Sequence, residues 1–326
     1  MPSRASKPAV LRETWRPEFV GDQREVRRRI AIRLTFTLIL ALFATAFAYL
    51  LFTPLFHPTT KLYFATAGPG QQFDIDPIPF FKEDALRFLA SDGNFQPSDA
   101  EREFYLLSTP DAFRNALQRI QSSAADSADV TILLLCAHPL VIDGRPVLRC
   151  DNYDDANPAQ GFVSMEETID RLSGSSAGAI VILLDVGHTA YREPSFHEAD
   201  DFLQLTQQIL KEGTHENLVV ISANSPGERS YRSSSLQSSI FAQAATRGLS
   251  GLADANSDRR ISLEEFYAFL RGWTQTLVQQ ESGGVTRQTP WMLDTEASRA
   301  DSAAQTILAS APASNWNLST VESLGK

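Results

Sequence analysis

Three hydrophobic patterns follow one another along this chain, and each predicts a different kind of element. Residues 34–56, LTFTLILALFATAFAYLLFTPLF, carry no charge. At about 1.5 Å per helical residue that stretch is long enough to cross a hydrocarbon core of about 30 Å, which predicts one spanning helix. Beyond it the apolar residues come in short runs at 61–67, 104–107, 130–137, 179–185 and 218–223. Several of these do not alternate with polar residues, as befits strands covered on both faces. Helical spacing fills the intervals. Thr109 and Pro110 supply an N-cap and a first-turn proline ahead of the stripe Ala112, Phe113, Ala116, Leu117 and Ile120. Ser164 and Glu167 predict a capping box at the next helix, and 199–211 and 236–248 predict two more. The IDG of Ile142 to Gly144 predicts a hairpin turn after the central strand. Strands alternating with helices predict a doubly wound α/β domain, its sheet mostly parallel with helices on both faces, and ligands expected at the C-terminal ends of the strands.

Charge adds a topology to this picture. The formal charge is -10, yet residues 1–33 hold nine Lys/Arg against four Asp/Glu, leaving about -15 for the remainder. Arg24, Arg27, Arg28, Arg29 and Arg33 crowd the near end of the apolar stretch, so the positive-inside rule places residues 1–33 in the cytoplasm and everything after His57 on the far side, periplasmic or extracellular. A cleaved signal peptide fits less well, because the stretch is too long, too deep in the chain and without a small-residue cleavage site. The expected organisation is a basic tail at 1–33, the single-pass helix at 34–56, a linker at 57–60, the α/β domain at 61–290 and an Ala/Ser-rich tail at 291–326. An acidic domain repels phosphate backbones, which argues against nucleic acid and favours basic peptides or cations as partners. Cys136 and Cys150 allow at most one disulfide bridge.

The residues at the expected strand ends carry a family resemblance. TILLLCAHPL, ending the central strand with His138, and the IDG turn after it resemble the segment that delivers the catalytic histidine in caspase-like cysteine peptidases, the metacaspase and bacterial caspase-domain group. VILLDVGHTAY resembles the nucleophile strand of that family, an apolar run followed by Asp, a small residue, Cys, His and Ser-Gly. LVVISANSPGERSY and the helix-loop-helix from Ser238 to Leu270 resemble its closing strand and last helices. The resemblance spans about residues 61–280 in the family's order and implies a caspase-like fold.

It also implies a loss. The family's nucleophilic cysteine falls on Gly187, which has no side chain to attack with, and the residue after His138 is Pro139, which has no N–H to offer an oxyanion. The expected activity is therefore that of a pseudopeptidase that keeps His138 and binds a peptide or protein in the former substrate groove. The alternative is an active cysteine endopeptidase with a displaced thiol at Cys136, two residues before His138 on the same strand face. Asp185 stands where metacaspase-like members receive a basic substrate side chain, so a groove for Arg or Lys is implied; the plainer reading is an Asp capping a strand-end turn. Thr189, Ser222 and His188 read as structural, and His197 and His215, in polar stretches, as surface residues.

A second chemical pattern lies in DANSDRRISLEE. Asp254, Asn256, Asp258, Arg260, Ser262 and Glu265 fall on positions 1, 3, 5, 7, 9 and 12 of an EF-hand loop, with Arg260 contributing its carbonyl. Arg259 stands at position 6, where glycine takes the left-handed turn. The segment either binds Ca2+ or keeps a helix-loop-helix shape through Asx turns alone.

Overall fold

The computed structural model describes residues 23–52, 60–67, 81–90, 102–123, 130–154, 161–174, 178–187, 201–213, 215, 217–293 and 307–310. The apolar runs become the parallel strands β1 (Thr60–Thr66), β2 (Arg102–Leu106), β3 (Val130–Ile142), β6 (Ala179–Val186) and β7 (Leu218–Ser222). β4 (Arg145–Arg149) and β5 (Phe162–Ser164) extend the sheet antiparallel from the far half of β3, and β11 (Trp291–Leu293) closes it antiparallel to β7. The main path runs β11-β7-β6-β3-β1-β2. Asp143 and Gly144 both take positive φ, 50° and 72°, the two-residue turn that lets β3 fold back into β4.

The sheet is covered on both faces. Leu133, Leu135 and Ala137 of β3 pack with Phe113 and Leu117 of α3 (Pro110–Ser123), Ile169 of α4 (Met165–Ser173) and Phe202 of α5 (Phe202–Glu212). The alternate residues Ile132, Leu134 and Cys136 face Phe88 of α2 (Phe81–Leu89), Phe241 of α6 (Ile240–Arg247) and Phe266 of α7 (Leu263–Ser282). Strand periodicity therefore sends Cys136 and Cys150 into opposite layers, and both thiols are free.

Local chemistry departs from the sequence expectation in three places. Ser164 caps α4 by accepting the Glu167 N–H at 3.0 Å, but the Glu167 carboxylate turns away to Arg114 at 2.8 Å and Arg171 at 3.0 Å, so the expected capping box is only half formed. The packing of α3 beside α4 supplies a guanidinium that outcompetes the cap amide, and that hydrogen bond holds Glu167 below the usual carboxylate range. The helix expected over 236–248 begins only at Ile240, because Ser238–Ser239 (β9) pair with Arg232–Ser233 (β8) in a small hairpin. Past residue 290, β11 joins the main sheet and β12 (Ile307–Ser310) pairs with β10 (Arg260–Ser262).

Residues 1–57 form a separate compact unit whose described part is α1 (Gln23–Phe52). Phe36, Leu38, Leu40, Leu42, Phe43 and Phe47 are exposed along it. Over the described residues no helix is long and apolar enough to cross a membrane. The expected span at 34–56 reaches past them: residues 53–56, and the side chains at 46 and 48–52, lie outside the described set.

Candidate functional site

The pairing of β3 with β6 sets Cys136 opposite Asp185 and Ala137 opposite Val186, where the register ends; His138 and Gly187 are the next residues along the chain from that last pair. Four chemically distinctive positions thus meet at the C-terminal ends of two central strands, the place where an open parallel sheet presents its site. Cys136 and Asp185 share the face covered by α2, α6 and α7, and the Cys136 thiol lies 3.9 Å from Asp185 Oδ2.

Asp185 is fully buried and sits in a polar cluster drawn from four elements. The Ser230 hydroxyl donates to its Oδ1 at 2.6 Å, and Arg232 Nη2 stands 3.9 Å from its Oδ2. The other arm of the same guanidinium donates to Asp84 Oδ2 on α2 at 3.2 Å. Asp84, 1% exposed, also accepts the Ser238 hydroxyl and the Ser239 N–H. Burial pushes the Asp84 carboxyl up to about 6, against the opposing pull of the Arg232 charge and of the Ser238 and Ser239 hydrogen bonds. Gln288 completes the floor, donating to the Ala223 carbonyl at 3.0 Å and accepting the Tyr231 N–H at 2.9 Å.

His138 leaves β3 where that strand begins to pair with β4, directly opposite Arg149. Burial, then the positive charges of Arg149 and Arg232, lower its pKa from 6.5 to about 4. At neutral pH the imidazole is uncharged, the form that accepts a proton. The neighbouring Cys136 is the opposite of an activated thiol. It is 0% exposed, and burial followed by the Asp185 charge raises its pKa well above the ordinary value, so the thiolate that would attack a carbonyl is suppressed. Cys150 is likewise buried, and burial raises its thiol to about 12.

Gly187 takes φ +76° and accepts the Ser230 N–H at its carbonyl. Among the described residues, a Cβ added there would meet only the Asn224 amide, at 3.7 and 3.8 Å, which is ordinary contact. Space for a side chain exists, then, but the backbone is in the left-handed region where any residue other than glycine is strained. Asn224 is held by donating to the Glu228 carbonyl at 2.8 Å, and its buried Oδ1 accepts no hydrogen bond among the described residues.

Other sequence expectations resolve differently. Ser222 is buried at the end of β7 with its hydroxyl toward the Asn224 N–H. His215 is not a surface residue: it is 8% exposed, with Nδ1 2.9 Å from the Ser173 hydroxyl and its ring packed against Gly213, where a side chain would collide. His188, Thr189 and His197 lie outside the described residues. Of the residues that build the polar cluster, Ser230 and Ser238 fall in segments that carry the family resemblance, whereas Asp84 and Arg232 carry no motif in the sequence.

The loop from Asp254 to Glu265 is organised by hydrogen bonds from its own backbone to its polar side chains. Asp254 Oδ1 and Oδ2 accept the N–H groups of Asp258 and Arg259, Asn256 accepts that of Asp258, and Asp258 accepts that of Arg260. Glu265, the expected twelfth-position ligand, instead accepts the Ser262 N–H at 3.0 Å and its hydroxyl at 2.8 Å, making the capping box of α7. Among the described residues no group of three or more His, Cys, Asp or Glu is placed to hold a metal ion. The Asx turns and the cap satisfy the loop, and Ile261 pairs with Ala309 of β12.

No protein-family model matches the chain, and no curated protein matches it in sequence. Among solved structures the chain is similar to caspase-1 from Spodoptera frugiperda, at 12% sequence identity and a TM-score of 0.44, over 72% of this chain and 86% of that one. A likeness at that level says nothing about the chemistry of the site.

Two outcomes follow from this geometry. Because the native state lowers the pKa of His138 from 6.5 to about 4, it binds fewer protons than the unfolded chain between those values, and the stability His138 contributes at neutral pH is lost as pH falls through that window. Its ring signals in an NMR titration should therefore stay fixed from pH 8 to 5 and move with a midpoint near 4; a midpoint at the ordinary value would show a solvated imidazole. Arg259 holds φ +68°, so Arg259→Gly should raise the unfolding free energy by about 0.5–1 kcal/mol, read as a higher denaturation midpoint at unchanged slope, with a lower midpoint contradicting the strain.

Proposed function

We propose that this chain is a membrane-anchored, caspase-like pseudopeptidase whose former catalytic groove binds a peptide or protein without cutting it. The observation that carries the reading is Gly187: the residue just after β6, next past the pair Ala137–Val186 as His138 is on β3, has no side chain, and its backbone holds a conformation that favours glycine. A peptidase of this kind needs a thiolate to attack the carbonyl while histidine moves the proton. His138 supplies an uncharged imidazole, nothing at 187 supplies the sulfur, and the buried, protonated Cys136 is no substitute. Pro139 removes a further N–H from the strand end.

The order of the segments around His138, Gly187 and Ser230, taken with the mostly parallel sheet that joins them, supports the caspase-like assignment. The uncharged residues 34–56, the arginines before them and the exposed apolar side chains of α1 support the anchor, with the α/β unit exported. The domain's negative charge favours a basic partner.

The test is a peptide-library hydrolysis assay on the purified full-length chain, its Gly187→Cys variant and the Gly187→Cys/His138→Ala double variant. The parent should be silent and Gly187→Cys should gain slow cleavage that the double variant loses; the strain at φ +76° should lower its stability by about 1–2 kcal/mol. Cleavage by the parent would overturn the reading.

A further inference from the structure

The chain carries its own guanidinium in the acidic part of this site. Asp185 is the residue expected to receive a basic side chain from outside, yet it is fully buried and Arg232 stands against it. The Arg232 side chain is 8% exposed, and its two Nη atoms address two different carboxyl groups, Asp84 at 3.2 Å and Asp185 at 3.9 Å. Two carboxyl groups this deep are costly unless a cation lies with them, and a planar guanidinium is the side chain best suited to span both.

The same contacts fasten a segment. Arg232 belongs to β8, and its partner strand β9 supplies Ser238 and Ser239 to Asp84. Arg87, one turn further along α2, donates to the carbonyls of Leu236 and Gln237, both at 2.9 Å. Ser230, just ahead of the hairpin, bonds Asp185 through its side chain and Gly187 through its N–H. Residues 230–239 are thus pinned by α2 on one side and by the end of β6 on the other, across the position where the missing nucleophile would stand.

We infer that Asp84 and Asp185 form a guanidinium-binding site whose resident is this chain's own Arg232, so that the site is occupied from within and accepts an arginine-like group from outside only when Arg232 is displaced. This rests on the reading of Asp185 as the receptor for a basic side chain, and it adds that the receptor is latched in the free protein. An external guanidinium competes with an intramolecular one, which has the advantage of high effective concentration. Weak binding of isolated arginine derivatives by the parent follows, even though the carboxyl groups are in place.

The experiment is chemical complementation with ethylguanidinium. Arg232→Ala in the full-length chain should lower Tm by several degrees, and millimolar ethylguanidinium should restore part of that loss while leaving the parent unmoved. Its dissociation constant on Arg232→Ala should be at least tenfold below that on the parent, and Asp84→Asn in the same background should weaken it about tenfold. A folded Arg232→Ala variant with no preference over the parent would overturn the inference. If that variant does not fold, NMR of the parent decides: the Arg232 guanidinium should give resolved, slowly exchanging Nη–H signals from hindered rotation, and averaged, fast-exchanging signals like those of surface arginines would contradict occupancy. Neither readout involves hydrolysis, so a failure here leaves the pseudopeptidase reading standing, and the reverse also holds.

Discussion

The end of the central sheet depends on one arrangement, a guanidinium held between two buried carboxyl groups. Asp185 is the next-to-last residue of β6, a strand with a neighbour on each side, and Asp84 lies on the helix packed against that face, so both are buried. The desolvation of such groups is worth several kcal/mol each, and it is offset here by Arg232 together with three hydroxyl or amide donors. Because the arginine comes from β8 and the acids from α2 and β6, satisfying their charge also fixes where the segment after β7 must run. The same arginine also acts on His138, where burial first, then the Arg149 charge and last the Arg232 charge hold the imidazole neutral.

On the proposed reading, the site these contacts frame has a base without a nucleophile. The parallel register of β3 and β6 runs to Ala137 and Val186, the residues just before His138 and Gly187, a matter of strand geometry that needs no catalytic purpose to persist. The backbone at 187 has settled into a left-handed conformation that glycine adopts without cost, and the carbonyl is used to anchor Ser230. On the proposed reading, chemistry has been lost at one atom while the packing of the strands around it persists.

Much of this was legible in the sequence, for identifiable reasons. Runs such as VTILLLCA and AIVILLD have no polar face, so only strands buried on both sides accommodate them, and their alignment places Cys136, His138, Asp185 and Gly187 at the strand ends. Arg232 and Asp84 were not legible because their pairing spans 148 residues, and each alone reads as an ordinary surface charge. Glu265 was ambiguous for a chemical reason: a Ser followed three residues later by Glu serves equally as the last ligands of a calcium loop or as a capping box, and only the direction of the carboxylate distinguishes them. His215 misled because its neighbours are polar, while its own ring is buried against Gly213 and Ser173.

On the proposed reading, a site that keeps its histidine and its acids but has no attacking atom recognises a basic peptide and leaves it intact. The central claim is that no cysteine in this chain acts as a nucleophile. It is tested most directly by incubating the full-length chain with an arginyl chloromethyl ketone and measuring intact mass, followed by peptide mapping. The account predicts an unmodified protein, because burial holds both thiols protonated and out of reach. A single stoichiometric adduct on Cys136 would contradict it and show a displaced thiol doing the family's chemistry.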